Sequence, residues 1–243
     1  MNLNILALGS IGTIGGADGP TAIYVTGSPV GWIILITVLC LAQAYLLGSI
    51  DFGVVVSRLI FKEDVRSKGS GNAGTTNILR TYGKKAAALT LMGDMGKGVL
   101  AVLIGRLLFG LLPVPDAALY GAHLAAIAAT CGHLWPVWFG FKGGKGVAVA
   151  AGAILASQPV VVAALAVVFF TLAFTTRIVS LSSITVAVLY PVFTALWCWY
   201  RGDVIWFPTL CAAIMGALVV WMHRANIQRL RNGTEYKFGE KKK

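Results

Sequence analysis

Long stretches without a charged side chain limit what this chain can fold into more than any other feature. Residues 30–50, 178–200 and 204–222 contain no Asp, Glu, Lys or Arg, and residues 146–176 continue for 31 positions without one. About 20 consecutive apolar residues are enough for a helix to cross the hydrocarbon core of a bilayer. Charged residues make up only 12% of the 243 residues, roughly half of the ~25% that is usual in soluble domains. The sequence therefore predicts an integral membrane protein.

Seven helices are expected to cross the membrane. Besides the three clear runs, residues 86–112 and 117–131 each supply one, and the latter should end before Gly132–Pro136, because proline interrupts a helix. Residues 146–176 are too long for one ordinary span and contain Ser157-Gln158-Pro159, which divides them into two helices, the first of them short. The predicted fold class is an all-α integral membrane protein with about seven transmembrane helices.

The distribution of basic residues orients these helices. Lys and Arg outnumber Asp and Glu by 20 to 9, a net charge of +11. In so apolar a chain this charge suits an anionic membrane face or an anionic substrate, and no nucleic acid is expected as a partner. Residues 58–85 hold seven Lys and Arg, and the tail from residue 223 holds seven more, so both should face the cytoplasm. Seven crossings then place the N-terminus outside and the C-terminus in the cytoplasm.

The chain divides into three parts. Residues 1–29 are rich in glycine and lack Lys and Arg, so they make a poor signal peptide. Within them, residues 14–21 are similar to a short glycine-rich segment of sodium-pumping decarboxylase β subunits, and the role of the extension stays unknown. Residues 30–222 form the transmembrane domain. Residues 223–243 form a basic cytoplasmic tail, of which residues 223–236 are expected to contribute to the functional site.

The first polar cluster is segment 69–80, Gly-Ser-Gly-Asn-Ala-Gly-Thr-Thr-Asn-Ile-Leu-Arg. Its small residues leave backbone N–H groups accessible and its polar side chains add donors, a combination typical of an anion site. The segment also contains G-x-G-x-x-G with Asp94 twenty residues beyond Gly74, which superficially matches the dinucleotide-binding fingerprint. No strand of parallel-sheet type precedes it, and Asp94 belongs to an apolar helix, so nucleotide binding is rejected.

Asp94 and Lys97 are three residues apart and hence share one face of a predicted helix. Charges at membrane depth are costly unless they face a cavity or one another. Two interpretations stay open: a self-neutralising ion pair, or a pair in which Asp94 orients Lys97 toward a substrate phosphate.

Segment 132–146 places Lys142 and Lys145 in a glycine-rich turn just before a predicted helix. Backbone donors, the helix dipole and two ammonium groups would converge on an anion there, although the spacing is not that of a P-loop. The alternative is a positively charged loop that serves only to keep this segment in the cytoplasm. Residues 140–146 contain four glycines, more than such a topology signal requires. Three aromatic residues are interpreted as interfacial anchors: Trp135, Trp138 and Phe139.

His223 and Asn226 share one helix face at the cytoplasmic exit of the last span. Arg229 and Arg231 are explained by snorkelling to lipid headgroups, which fits His223 and Asn226 less well. His123, alone on an apolar helix, is interpreted as a hydrogen-bonded interior residue. The four clusters lie on one side of the membrane in this topology. They describe a protein that handles a phosphorylated polar molecule beside a lipidic one, either joining or transporting them.

Taken in order, these residues closely resemble the bacterial acyl-phosphate:glycerol-3-phosphate acyltransferases, the PlsY family. The match runs from about Leu46 to Tyr236 and includes Gly48-Ser49-Ile50, GSGNAGTTNILR, DMGKG, GHLWPVWFGFKGGKGVA, Thr176–Leu181 and HRANIQRL. The resemblance implies a seven-helix fold in the bacterial inner membrane, with glycine-rich cytoplasmic loops forming the active site. It also implies the first acylation of phospholipid synthesis, in which a fatty acyl group moves from acyl phosphate to the 1-hydroxyl of sn-glycerol 3-phosphate. The products are lysophosphatidic acid and phosphate.

The resemblance also implies the site residues. The catalytic contacts to glycerol phosphate fall on Ser70, Arg80, Lys145, His223 and Asn226, and the backbone of residues 69–74 would hold the phosphate of the acyl phosphate. The wider substrate-binding set comprises Gly69, Gly71, Asn72, Gly74, Thr75, Thr76, Asn77, Asp94, Lys97, His133, Lys142, Gly143 and Gly144. One departure is Asp51, where the family usually has proline or a small polar residue. A carboxylate there would repel substrate or pair with a lysine.

The leaving group suggests the mechanism. Acyl phosphate is a mixed anhydride already activated for attack, so the protein chiefly needs to align two anions and stabilise developing charge. We expect direct transfer without an acyl-enzyme, with a substrate phosphate accepting the hydroxyl proton and His223 as the rival base. No Ser-His-Asp order is evident and no carboxylate cluster is apparent, so neither a metal nor another cofactor is expected.

The implied setting is a monomer in membrane lipid, downstream of a phosphate acyltransferase that makes acyl phosphate. Two other function classes fit the sequence less well. An anion or phosphorylated-solute transporter would need polar or broken helices through the full membrane depth and often an internal repeat, whereas here the polar clusters gather on one side. A structural membrane subunit is suggested only by the N-terminal extension.

Overall fold

The computed structural model describes residues 11–16, 19–25 and 29–239. In chain order its helices are α1 Pro29–Gly48, α2 Phe52–Phe61, α3 Thr75–Tyr82, α4 Lys84–Phe109, α5 Ala117–Leu134, α6 Val147–Ser157, α7 Pro159–Thr176, α8 Val179–Arg201, α9 Trp206–Met222 and α10 Arg224–Arg231. Single 3-10 turns lie at Val65–Ser67 and Val137–Phe139.

Seven of these helices, α1 and α4 to α9, are apolar and correspond to the seven that were predicted. Among the described residues, five helical stretches are long and apolar enough to cross a membrane, and α9 with α10, bent by 60° between them, would be a sixth. Helix α6 is apolar but has only 11 residues. The predicted division of the longest apolar run is confirmed, since α6 ends at Ser157 and α7 begins at Pro159.

The break between α6 and α7 lies at Gln158, which is buried. Pro159 occupies the first turn of α7, where its missing N–H costs no helical hydrogen bond. Thr194 of α8 donates to Gln158 Oε1 at 3.1 Å, and Arg106 of α4 donates to the Ala156 carbonyl at 3.3 Å. Polar groups at membrane depth must find partners inside the protein, and these contacts supply them.

Helix α4 packs against α1, α5 and α6. Its contact with α6 is close, because a Cβ added at Gly98 would lie 2.3 Å from the Val149 carbonyl oxygen, and one at Gly152 would lie 2.0 Å from an α4 carbonyl oxygen. Small residues let membrane helices approach in this way. Helix α6 begins two residues after Lys145, so this packing fixes where Lys145 lies relative to Lys97 of α4.

Two strands precede α1. β1 Ile11–Gly16 and β2 Gly19–Val25 pair antiparallel, with Ile11 opposite Val25. The all-α prediction is confirmed for residues 29–239, and this hairpin is an element that sequence analysis did not predict. The remaining parts of the predicted extension and tail, residues 1–10, 17–18, 26–28 and 240–243, lie outside the described residues.

Loops and short helices gather at the end of the bundle predicted to be cytoplasmic. Trp138 Nε1 donates to the Leu46 carbonyl at the end of α1, at 3.2 Å. Arg66, in the segment between α2 and α3, donates to the Phe139 carbonyl at 2.7 Å. These contacts bring the glycine-rich segments of the sequence together at one place.

Candidate active site

Asn77 organises the glycine-rich loop that precedes α3. Its side-chain nitrogen contacts three backbone carbonyls, those of Val65 at 3.3 Å, Lys68 at 3.0 Å and Asn72 at 2.9 Å. Its Oδ1 accepts from the Ser70 N–H at 2.9 Å. Because Asn77 is only 3% exposed, it acts by shaping the loop rather than by facing a ligand in solvent.

The loop also uses some of its own backbone donors. The Gly74 N–H donates to Asn72 Oδ1 at 2.9 Å, and the Gly71 N–H donates to the Lys68 carbonyl at 3.0 Å. Gly69 and Gly71 have φ values of 59° and 71°, in the left-handed region that glycine tolerates best. The predicted phosphate cradle is therefore a preformed turn with part of its N–H groups bonded internally.

Helix α3 begins with Thr75 and Thr76 and carries Arg80 in its last turn. Ser70, Thr76 and Arg80 are exposed, whereas the buried Thr75 hydroxyl has no hydrogen-bond partner among the described residues. The guanidinium carbon of Arg80 lies 3.8 Å from the centroid of the Tyr236 ring, within the range of a cation–π contact. The tail thus reaches over the predicted catalytic arginine.

A second set of contacts joins Lys145 to the same tail. Lys145 Nζ donates to Asn226 Oδ1, and Asn226 Nδ2 donates to Glu235 Oε1 at 2.6 Å. The Glu235 carboxylate also accepts from Ser180 Oγ at 2.8 Å and from Arg229 Nε at 2.7 Å. Glu235 therefore ties α8, α10 and the turn before α6 into one unit around Lys145.

Burial sets the electrostatics of this unit. It lowers the pKa of the Lys145 ammonium to about 8. The Glu235 carboxylate opposes this shift, and the charges of Arg229 and Arg80 add to it. Partial burial raises the pKa of Glu235, but hydrogen bonds from its three donors outweigh that effect and leave the pKa below its ordinary value. The site thus combines a lysine that titrates near neutrality with a carboxylate that stays ionised.

His223 directly follows the last residue of α9 and is 3% exposed. Its Nδ1 lies 2.7 Å from the Val219 carbonyl oxygen. Because a carbonyl only accepts, Nδ1 carries the hydrogen and Nε2 keeps a lone pair. Burial, and then the charge of Lys145, lower the pKa of His223 to about 4. The imidazole is therefore neutral at pH 7 and offers one acceptor.

Asp94, Lys97 and His133 form a separate cluster inside the bundle. Lys97 Nζ lies 2.8 Å from Asp94 Oδ1 and 2.9 Å from His133 Nδ1, and it donates to the Ile50 carbonyl at 2.6 Å. The side chains of Lys97 and Asp94 are 3% and 1% exposed. Of the two interpretations left open for this pair, the structure shows the internal ion pair, and a contact of Asp94 or Lys97 with substrate stays a prediction.

Asp51 caps helix α2. Its Oδ1 accepts from the Gly53 N–H at 3.0 Å and from the Val54 N–H at 3.4 Å, as an N-cap carboxylate does. Asp51 has no exposed surface, so the structure shows it as a buried helix cap, and its effect on substrate stays a prediction.

Asp51 also approaches Asp94 and His133. One oxygen or nitrogen from each of the three residues can be chosen so that all lie within 4.8 Å of one another. The expectation that the chain has no carboxylate cluster was therefore wrong, since the break between α1 and α2 folds back onto α4. The Lys97 ammonium contacts both Asp94 and His133, and so it supplies positive charge to this cluster.

The turn ahead of Lys145 is held by the end of α5. The Gly144 N–H donates to the His133 carbonyl at 3.1 Å. Arg66 Nη1 donates to the Lys142 carbonyl at 3.0 Å, while the Lys142 residue itself is exposed. The turn is thus fixed from both sides.

Comparison of the sequence with known proteins identifies the family of this chain. A family model described as glycerol-3-phosphate acyltransferase matches residues 38–233. The glycerol-3-phosphate acyltransferase of Neisseria meningitidis serogroup A (strain Z2491) is 45% identical over 202 residues, covering 83% of this chain and 96% of that protein. That of Clostridioides difficile (strain 630) is 44% identical over 199 residues, covering 82% and 94%.

Solved structures agree. The crystal structure of PlsY (YgiH), an integral membrane glycerol 3-phosphate acyltransferase, in its glycerol 3-phosphate form has 36% identity, a TM-score of 0.72, and coverage of 84% of this chain and 96% of that one. Its lysophosphatidic acid form has 35% identity, a TM-score of 0.70 and coverage of 84% and 95%. The chain belongs to the glycerol-3-phosphate acyltransferase family. The resemblance seen in its motifs is thereby confirmed, and the chain is a membrane acyltransferase.

Three residues of this acyltransferase site were missed by sequence analysis. Glu235 is one of two acidic residues in the basic tail 223–243 and the only one within segment 223–236, a signal that could have found it. Tyr236 and Arg66 gave no such signal, because their partners lie more than 70 positions away in the chain.

Proposed function

We propose that this acyltransferase moves a fatty acyl group from acyl phosphate to the 1-hydroxyl of sn-glycerol 3-phosphate, releasing lysophosphatidic acid and phosphate. The observation that carries the proposal is the gathering of Arg80, Lys145, His223 and Asn226 at one end of an apolar bundle. The glycerol 3-phosphate and lysophosphatidic acid forms of PlsY support the acceptor and the product.

The distribution of basic residues supports a cytoplasmic site. We infer a multi-pass protein of the bacterial inner membrane with its N-terminus outside and its C-terminus in the cytoplasm. We further infer a monomer that works downstream of a phosphate acyltransferase, because acyl phosphate has to be made before it can be used.

Two cations are assigned to the phosphate of glycerol 3-phosphate. Stacking on the Tyr236 ring leaves the planar N–H edge of Arg80 directed away from the ring, where a phosphate can be held by two parallel hydrogen bonds. An ammonium has three donors, and Asn226 orients that of Lys145 through one of them. Removing either cation should therefore weaken binding of the polar substrate.

An apolar groove at the same end of the bundle suits the acyl chain. It has a volume of about 540 Å³ and is lined by Gln43, Leu46, Leu47, Ile50, Trp138 and Phe139. Leu46 and Trp138 are 42% and 57% exposed, on a surface that lipid would cover. A donor arriving in the membrane plane along this groove and an acceptor arriving from the cytosol would meet at the glycine-rich turns.

The reaction needs no covalent intermediate. The 1-hydroxyl oxygen attacks the acyl carbon, the bond from that carbon to the bridging phosphate oxygen breaks, and the released phosphate takes the hydroxyl proton. The protein's part is alignment of two anions and stabilisation of the charge that develops on the leaving phosphate.

His223 is assigned to positioning rather than to base catalysis. Its Nε2 lone pair can accept a hydrogen bond from a glycerol hydroxyl, whereas a pKa of about 4 makes it a poor proton acceptor at neutral pH. His223→Ala should therefore raise KM for glycerol 3-phosphate more than it lowers kcat. A collapse of kcat at unchanged KM would assign the base to His223 instead.

The decisive experiment supplies purified protein in lipid with palmitoyl phosphate and glycerol 3-phosphate, and palmitoyl-CoA in parallel as the other donor. We expect lysophosphatidate and an equal amount of phosphate from palmitoyl phosphate alone. Product from palmitoyl-CoA alone would overturn the assigned donor. Product from neither, in a folded sample, would overturn the proposed reaction.

A further inference from the structure

The three histidines of the described chain differ in what their Nδ1 atoms contact. Nδ1 of His123 lies 2.9 Å from the Leu119 carbonyl oxygen, and Nδ1 of His223 lies 2.7 Å from that of Val219. Both therefore carry their hydrogen on Nδ1. His133 is the exception, because its Nδ1 lies 2.9 Å from the ammonium nitrogen of Lys97.

The Lys97 side chain lies among hydrogen-bond acceptors. It donates to the Ile50 carbonyl at 2.6 Å and lies 2.8 Å from Asp94 Oδ1. The Oδ2 atoms of Asp94 and Asp51 are buried without a hydrogen-bond partner among the described residues. Two carboxylates thus face one ammonium, and Arg66, whose charge also interacts with Asp51, lies outside at the surface turn.

A protonated amine has no lone pair, so Lys97 can only donate to His133 Nδ1. The alternative is a proton on Nδ1 shared with Asp94 Oδ1, but that separation is 3.5 Å, too long for a good hydrogen bond. The hydrogen of the His133 ring is therefore on Nε2, the tautomer opposite to that of the other two histidines.

Nε2 of His133 points at the glycine pair that precedes Lys145. A Cβ added at Gly144 would lie 2.1 Å from Nε2, and one added at Gly143 would lie 2.0 Å from the His133 carbonyl oxygen. The same carbonyl accepts from the Gly144 N–H at 3.1 Å. His133 therefore meets this turn with its backbone and its ring together, which explains why both positions are glycine.

We infer that Lys97 is a positioning residue whose buried ammonium fixes His133 as the Nε2–H tautomer and holds its ring against the turn that presents Lys145. Both members of the dyad are buried, Lys97 being 5% and His133 2% exposed. The effect on catalysis rests on the proposed function, since Lys145 is assigned there to glycerol 3-phosphate, whereas the tautomer itself does not depend on it.

The tautomer is measured by ¹⁵N NMR of protein labelled at its three histidines, in lipid at pH 7.5. We expect two neutral rings with hydrogen on Nδ1 and one with hydrogen on Nε2, and the latter signal should vanish in His133→Gln. An Nδ1–H or doubly protonated His133 in the unchanged protein would overturn the inference.

Lys97→Met alone leaves the buried Asp94 carboxylate without its cation, so the test uses the double variant Asp94→Asn/Lys97→Met, which removes one charge of each sign and leaves Asp51 in place. We expect its His133 to lose the Nε2–H preference and its kcat/KM for glycerol 3-phosphate to fall by about 100-fold, mostly through KM, as for a catalytic group displaced by about 1 Å. Lys97→Arg, which keeps a donor without a lone pair, should retain the tautomer.

The two proposals fail in different ways. If the unchanged protein makes no product from palmitoyl phosphate, the proposed function fails while the NMR result still decides the tautomer. If the double variant keeps the Nε2–H tautomer, or loses it with KM unchanged, the positioning role of Lys97 is overturned while the reaction stands.

Discussion

The tripeptide Gly-Lys-Gly occurs twice in this acyltransferase, at residues 96–98 and 144–146, with opposite outcomes. In the first copy Lys97 lies in the middle of α4, its side chain 3% exposed and surrounded by three internal acceptors. In the second, Lys145 lies in a turn and donates to Asn226 beside the other candidate substrate contacts. The same three residues therefore give a structural cation in one place and a candidate binding cation in the other.

The glycines explain the difference. Gly98 lets α6 approach α4, since a Cβ there would lie 2.3 Å from a backbone oxygen. Gly146 instead adopts φ of 85° immediately before α6, a left-handed turn that aims the chain out of the preceding segment. The conformation and packing of the surrounding backbone, rather than the tripeptide itself, decide whether the lysine ammonium is paired inside the protein.

The largest expected effect separates the two lysines by stability. Lys97→Met leaves Asp94 as a buried charge without its partner, which should lower the free energy of unfolding by about 3–5 kcal/mol. Thermal unfolding in detergent measures this, and the double variant Asp94→Asn/Lys97→Met should recover much of the loss. A Lys97→Met protein as stable as its parent would mean that Asp94 is neutral and that the ion pair does not hold α4.

Lys145→Met should show the reverse pattern, with activity lost and stability kept. Losing one cation aimed at the phosphate of glycerol 3-phosphate should reduce kcat/KM for that substrate by about 100- to 1,000-fold, by analogy with removal of a single oxyanion donor. Lysophosphatidate formation measures this, and Lys84→Met, which removes an exposed lysine outside the site, is the matched control. Arg80→Ala should behave like Lys145→Met, and normal turnover in both would refute the site assignment.

The comparison can also be sharpened with pH. Because burial lowers the pKa of Lys145 to about 8, the ammonium loses its charge as pH rises through that value. KM for glycerol 3-phosphate should then rise about fivefold from pH 8 to 9 and about tenfold for each further unit, in proportion to the loss of the charged form. Lys145→Arg keeps its charge to above pH 12 and should abolish this rise of KM at alkaline pH. A rise of KM that persists in Lys145→Arg would belong to another titrating group.

The smallest expected effect concerns Tyr236. Tyr236→Leu removes the ring that Arg80 stacks on at 3.8 Å, and a cation–π contact of roughly 0.5–1 kcal/mol corresponds to about a two- to fivefold rise in KM. Tyr236→Phe should leave KM unchanged, because the ring and not the hydroxyl makes the contact. Trp221→Leu removes a similar contact with Arg224 at 5.3 Å away from the site and serves as the control.

Much of the fold could be read from the sequence because a bilayer imposes strict rules on it. Charge-free runs predicted every apolar helix except α4, which contains Asp94, Lys97 and Arg106, and Pro159 predicted the division of the longest run. The glycine-rich loop that Asn77 organises was also recognisable as a motif, because its residues are adjacent in the sequence. The sequence does not display contacts between distant segments, and this is why Asp51 was expected near substrate although it caps α2.

The same limit applies to charges. Lys97 and Lys145 are equivalent by residue type and neighbours, and only the packing of α4 against α6 tells them apart. Glu235 was overlooked because its three donors come from α8 and α10. Local physical chemistry predicts which polar groups are costly in a membrane, but the tertiary fold determines which hydrogen-bond and ion-pair partners those groups have.

Glu235 and Tyr236 lie beyond every membrane-spanning helix in the order of synthesis. A nascent chain that has already inserted α1 to α9 still lacks the carboxylate that fixes Asn226 and the ring that supports Arg80. The candidate site is thus assembled only when the ribosome has passed residue 236. A copy truncated before Glu235 would keep its apolar helices but lack the contacts that fix Asn226 and support Arg80.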